Sequence, residues 1–190
     1  MISLIKFILP VLVLTVSCAD HDRDYYTKPQ GLSEVPPSDI DNLCQIFKDK
    51  PHWKSNVMTV ADHYGVPPSV VMAIMRHESG FNQYAKNPNS SAFGYAQALD
   101  GTWEDFQDDT DNDDASRTRF SDAVAFIAWY INKNKNVGIN PLDAYNNYLA
   151  YHEGRTGYLR GGYHQKNWLL NVAQNVNVTA HRFYEQVHRC

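Results

Sequence analysis

The sequence predicts a mainly α domain preceded by an export segment. Apolar residues recur at helical spacing in one stretch after another from residue 39 onward. Those stretches open or close on proline, glycine and capping residues. No alternation of apolar and polar residues runs long enough for a strand, which leaves at most a small β element in the loops after residue 78. A chain of 190 residues with 43% hydrophobic content can bury one core of ordinary size. A formal net charge of -4 gives no basic surface for nucleic acid, so that class of partner is excluded.

Residues 1–18 read as a segment outside the fold. Lys6 precedes an apolar run over 7–16 that is too short to span a bilayer as a mature helix. The run ends in LTVSC, which resembles a bacterial lipobox with Cys18 as the acylated residue. A plain secretory signal is the alternative, and either one exports the protein. Ala19 after the cysteine favours the outer membrane of a Gram-negative cell, facing the periplasm. Residues 19–38 mix charges with Pro29, Gly31, Pro36 and Pro37 and show no period, as a tether does.

The folded domain is expected over 39–190. Ser38 can cap a first helix whose opening turn holds Asp39 and Asp41 and whose inner face carries Ile40, Leu43, Cys44 and Phe47. A second helix presents Trp53, Val57, Val60, Ala61 and Tyr64 and stops at Gly65. Pro67 and Pro68 are tolerated only at the start of a third. In that helix Val71, Ile74, Met75 and Glu78 share one face, and Ser79-Gly80 breaks it. A carboxyl ending an apolar stripe is partly desolvated and holds its proton more tightly, as a general acid requires. Spacing alone leaves open that Glu78 is solvated or caps a neighbour.

Residues 82–91 are rich in Asn, Ser and Pro and predict an irregular loop. Phe93, Tyr95, Trp103 and Phe106 offer aromatic surface, part of which must be core. The acidic run over 104–114 reads as a solvated loop, because an EF-hand would need a turn glycine and a final Glu where Phe120 stands. Ser121 is expected to cap a helix with Val124, Ile127, Ala128 and Ile131 inside. Asn140-Pro141-Leu142-Asp143 starts another, carrying Tyr145, Tyr148, Leu149, Tyr151 and His152 and stopping at Gly154. Residues 154–162 read as a flexible loop that carries Arg155 and Arg160. A last helix follows with Leu169, Val172, Ala173, Val176, Ala180, Phe183, Tyr184 and Val187 on its stripe. If Cys18 carries lipid, Cys44 and Cys190 remain to pair in an oxidising compartment.

The segments ESGF, SSAFGYAQALDGTW and AYHEG, in this order, resemble the SLT domain of lytic transglycosylases, relatives of goose-type lysozyme. The common pattern is Glu-Ser, a Ser with Gly three residues on and Gln three further, then AYN-x-G. Here these are Glu78-Ser79, Ser91, Gly94, Gln97 and the run from Ala150 to Gly154. The NLC start, GYAQALDGTW centre and terminal Cys resemble a proteobacterial lipoprotein branch. Tyr95-Ala96 replaces the common Leu-Met, and His152-Glu153 replaces Asn-Ala. The resemblance implies a lysozyme-like fold and a sugar cleft lined by Ser91, Gly94, Tyr95, Gln97, Tyr151 and Glu153. In it Ser91 would orient Glu78 or the substrate, Gln97 would bind the sugar, and Tyr151 would face the glutamate. Gly94 would allow close backbone approach.

The implied reaction is cleavage of the MurNAc–GlcNAc β-1,4 bond of peptidoglycan glycan strands by Glu78, as acid and then as base, to give 1,6-anhydroMurNAc ends. It needs no cofactor and no metal. A muramidase would add a second carboxylate. Glu153 is the candidate, unless it pairs with Arg155, Arg160 or a helix end, and Asp100 is a weaker one. A non-catalytic wall-binding lipoprotein is the other alternative. A metallohydrolase is disfavoured because Phe81 stands where a second ligand would follow His77.

Overall fold

The computed structural model describes residues 34–190. Cys18 with its export segment, and residues 19–33 of the tether, lie outside the described residues. The elements are α1 (Leu43–Asp49), α2 (Pro51–Tyr64), α3 (Pro68–Ser79), α4 (Asp100–Thr110), α5 (Phe120–Asn134), α6 (Ala144–Leu159) and α7 (Asn167–Val187). Short 3-10 turns follow α5 and precede α7. Two isolated bridges, Lys86 with Phe93 and Phe93 with Ala98, are the β structure of the loop between α3 and α4. The domain is therefore mainly α, as its helical periods predict.

The most apolar helix, α5, lies at the centre and is buried from Phe120 through Ile131. Trp53 of α2 stacks on Phe120 with ring centroids 3.8 Å apart. Trp103 and Phe106 of α4 meet Phe126 of α5 at 5.3 and 5.6 Å. Aromatic pairs at such distances add to the area they bury. The amphipathic α7 covers α3 and α6 with Leu169, Ala173, Val176, Ala180 and Phe183.

Polar ties close the fold at both ends of the chain. Cys44 and Cys190 form a disulfide, with Cα atoms 5.5 Å apart. Gln186 near the end of α7 accepts from the Leu43 amide at 2.8 Å. Asp41 binds Arg76 of α3 at 2.8 Å and also pairs with Arg182 of α7. Asn134 and the buried Asn147 join α5 to α6 at 3.1 Å.

Several boundaries differ from the sequence reading. Asn42, not Ser38, caps α1, accepting from the Gln45 amide at 3.1 Å, because Asp41 is drawn away by its two arginines. Most of the acidic run is helical rather than loop, since Trp103 and Phe106 dock its inner face. Ser121 lies inside α5 and donates to Asp122 instead of capping. Asn140 caps a turn, and Asp143 caps α6 proper. Residues 155–159 continue α6 beyond a break at Gly154 (φ 72°, ψ 155°), so the helix kinks there instead of stopping. Tyr184 is exposed and is not part of the core stripe.

Candidate active site

The end of α3 places Glu78. Gly80 adopts a left-handed conformation (φ 57°) and takes the Arg76 carbonyl, closing the helix two residues after the carboxylate. Phe81 follows with φ 62°, a strained state for a bulky residue, held because its ring is fully buried against Trp53. The chain therefore turns sharply beneath Glu78 and brings the next loop back across it.

Glu78 keeps some contact with solvent, yet its carboxyl is enclosed by protein. Burial pushes its pKa up from 4.5 to about 7, against the hydrogen bond from Tyr148 that pulls it down. Desolvation wins because a lone hydroxyl returns only part of the hydration an ionised carboxylate loses. His77 beside it is held below its usual pKa, first by burial and then by Arg76. A neutral imidazole adds no positive field that would ionise Glu78. The charge of Glu78 in turn raises the pKa values of Tyr148 and Tyr151, after the larger effect of their burial. Both phenols stay protonated and can only donate to a carboxylate.

Three separate pieces of sequence meet through two main-chain carbonyls. The Ser79 hydroxyl, on α3, donates to the Tyr95 carbonyl at 2.7 Å. The Tyr151 hydroxyl, on α6, donates to the adjacent Ala96 carbonyl at 2.6 Å. Residues 95–96 thus bridge the glutamate helix and the tyrosine helix. Gln97 fixes that bridge: its backbone is left-handed (φ 49°), and its amide donates to Ala85 at 2.8 Å and Gly94 at 3.0 Å. Gly94 (φ 78°) passes so close to residue 117 that a Cβ would sit 2.1 Å from the Arg117 carbonyl oxygen. Only glycine fits there.

The structure thus brings Glu78, the 94–97 backbone and Tyr151 together, and it places three other residues differently. The Tyr95 ring is 1% exposed, packed edge-on to Trp53 and Phe120, so it offers no face to a sugar and gives the site its carbonyl only. Ser91 lies on the loop rim, where its hydroxyl accepts from the Asp100 amide at 3.1 Å. Glu153 points into the start of α7. Lys166, not Arg155 or Arg160, holds both its oxygens at 2.7 and 2.9 Å and keeps its pKa low. Asp100 is paired with Arg117 at 2.8 Å.

Two participants carry no motif of their own. Tyr148 precedes Tyr151 by three residues on α6 and so shares its face, a relation that helical spacing contains. Arg117 has no such signal. It braces the loop by donating to the Ser91 and Ala98 carbonyls, each at 3.0 Å.

Glu78 is thus a desolvated carboxyl on the last turn of its helix, hydrogen-bonded by Tyr148 and facing the loop that carries residues 94–97. The chain belongs to the transglycosylase SLT domain family, whose family model matches residues 6–190. No curated protein matches the chain. Membership implies an enzyme that cleaves glycosidic bonds of peptidoglycan.

Proposed function

We propose that the protein is a lytic transglycosylase that cuts the MurNAc–GlcNAc β-1,4 bond with Glu78 as its one catalytic carboxyl. The carrying observation is that Glu78 is held near pKa 7 by burial while Glu153 and Asp100 are each neutralised by a cation. At neutral pH about half of Glu78 is protonated, so the group can both give and take a proton.

In the first half-reaction Glu78 gives its proton to the glycosidic oxygen as the bond to the anomeric carbon breaks. The substrate's own N-acetyl oxygen supports the electron-poor carbon. Tyr148 donates to the carboxylate just formed and offsets part of its desolvation. In the second half the sugar's 6-hydroxyl attacks the anomeric carbon and gives its proton to the Glu78 carboxylate, which restores the acid. The product is a 1,6-anhydro ring, and no water is consumed. A nucleophile held within the substrate avoids the entropy of bringing in a second molecule. Tyr151 and the 94–97 backbone form the wall opposite Glu78, where Gln97 and Gly94 set the shape that a sugar meets. Acylation at Cys18 would hold the enzyme on the periplasmic face of the outer membrane.

Digestion of purified peptidoglycan, with muropeptides identified by mass, tests this. Products one water lighter than reducing sugars, formed by the protein and reduced by about 10²–10⁴-fold in Glu78→Gln, are the expected result. Reducing ends would instead make it a hydrolase.

A further inference from the structure

His152, which stands where the third motif usually has Asn, and Glu153 after it both engage the opening turn of α7. His152 meets the Trp168 ring edge-on, with centroids 5.1 Å apart, and Glu153 holds Lys166. Trp168 is 56% exposed, while Trp53, Trp103 and Trp129 are at most 5% exposed, so the rest of the chain's indoles lie in the core. Val178 and Tyr184 of α7 are exposed too, so exposure alone does not mark Trp168 out; what does is its contact with His152.

Its position continues the cleft. His152 lies one turn beyond Tyr148 on the same face of α6, and Tyr148 touches Glu78. On α7, Trp168 and Asn175 are seven residues apart and share a face, about 10 Å along the axis. His77, the neighbour of Glu78, bonds the Asn175 backbone. A path therefore runs from Glu78 to Tyr148, along the same face of α6 to His152, and on to Trp168.

The polar groups around the ring suit a sugar. An ionised Glu153 can only accept, so His152 donates to it from Nδ1 at 3.1 Å, which leaves Nε2 as a further polar atom beside the ring. The Lys166 side chain is 41% exposed, and its ammonium keeps a donor beyond the two bonds to Glu153. An aromatic ring flanked by an imidazole and an ammonium matches a pyranose, with its apolar C–H face and its rim of hydroxyl and amide groups.

We propose that Trp168, with His152 and Lys166, is a sugar-stacking platform that holds the glycan strand remote from the bond being cut. The proposal rests on the glycan-cleaving role of Glu78. Binding there positions the strand, so removing it raises KM while kcat is retained for strands that still reach Glu78.

The test uses the full chain carrying Glu78→Gln, with insoluble peptidoglycan for sedimentation and amidase-released glycan strands as the soluble probe. Trp168→Ala should weaken sedimentation roughly fivefold to tenfold, and Trp168→Phe should restore most of it. Soluble strands should also shield the indole emission from acrylamide, and the shielding should vanish in Trp168→Phe. In the chain with Glu78 intact, Trp168→Ala should raise KM by a similar factor. Cleavage by the parent with binding and KM unchanged in Trp168→Ala overturns the platform alone. A parent that neither binds nor cleaves glycan overturns the reading of Glu78, and the platform with it.

Discussion

Replacing Glu78 by Gln should make the protein more stable, and only above a defined pH. In the folded chain the Glu78 carboxyl titrates at about 7, against 4.5 for its ordinary value. A group whose pKa rises on folding favours the fold while protonated. That contribution is complete below about pH 4.5 and disappears as pH climbs towards 7. The difference of 7 - 4.5 = 2.5 corresponds to about 3 kcal/mol at 1.36 kcal/mol for each pH unit. Most of this loss is complete by pH 7, and the difference is flat at more alkaline pH.

Gln keeps the shape and can still accept the Tyr148 hydroxyl, but it never ionises. The two proteins should therefore match near pH 4 and diverge above it. At pH 8 the variant should be more stable by up to about 3 kcal/mol, or about 6–12 °C in Tm for a domain of this size. Urea unfolding of both proteins at four or five pH values measures it, since every other titrating group cancels in the difference. Parallel curves across pH 4–8 would refute the claim that the Glu78 carboxyl is desolvated, whatever the activity of either protein. Stability would then have been no reason for its high pKa, and the case for Glu78 as a proton donor at neutral pH would fall.

The other predictions follow from the same contacts. Tyr148→Phe removes the bond that lowers the Glu78 pKa, so the alkaline limb of kcat/KM should move up by about one pH unit from its position near 7. An unmoved limb would mean that Tyr148 does not touch the reacting carboxyl. Gly94→Ala forces a Cβ against the Arg117 carbonyl at a positive φ and should cost at least about 2 kcal/mol, with loss of activity. Gly101→Ala, in open space on α4, should stay within about 1 kcal/mol of the parent in the same melting assay. Reducing the Cys44–Cys190 bridge, which closes a separation of 146 residues, should lower stability by up to about 5 kcal/mol in chemical denaturation.

The helices were legible because their signals are local. Gly65 ending α2, Pro68 opening α3 and the stripe of α7 each depend on residues within a few turns. Where boundaries moved, a distant partner was the cause. Asp41 prefers Arg76 and Arg182 to a place in the first turn of α1, and the acidic α4 is held by its aromatic contacts with α5. Neither choice can be read from the segment itself.

The site was legible to a different depth. Glu78 stands out because a carboxylate closes an apolar face, and its burial follows from that position. The roles of the remaining motif residues depend on which of their atoms face the cleft, and residue type does not contain that. Tyr95 is a core ring whose carbonyl does its work, and Gln97 clamps backbone. Glu153 shows the physical point most clearly. As a sequence feature it is an acid beside a cleft tyrosine, equally suited to activate water or to pair with a cation. The kink at Gly154 decides between them, because it turns the chain after Glu153 so that Lys166, thirteen residues later, reaches both carboxylate oxygens. A carboxylate held by an ammonium is a poor base, since taking a proton would break that pair. On the proposed reading the proton transfers of both half-reactions therefore fall to Glu78, with no second carboxylate to share them.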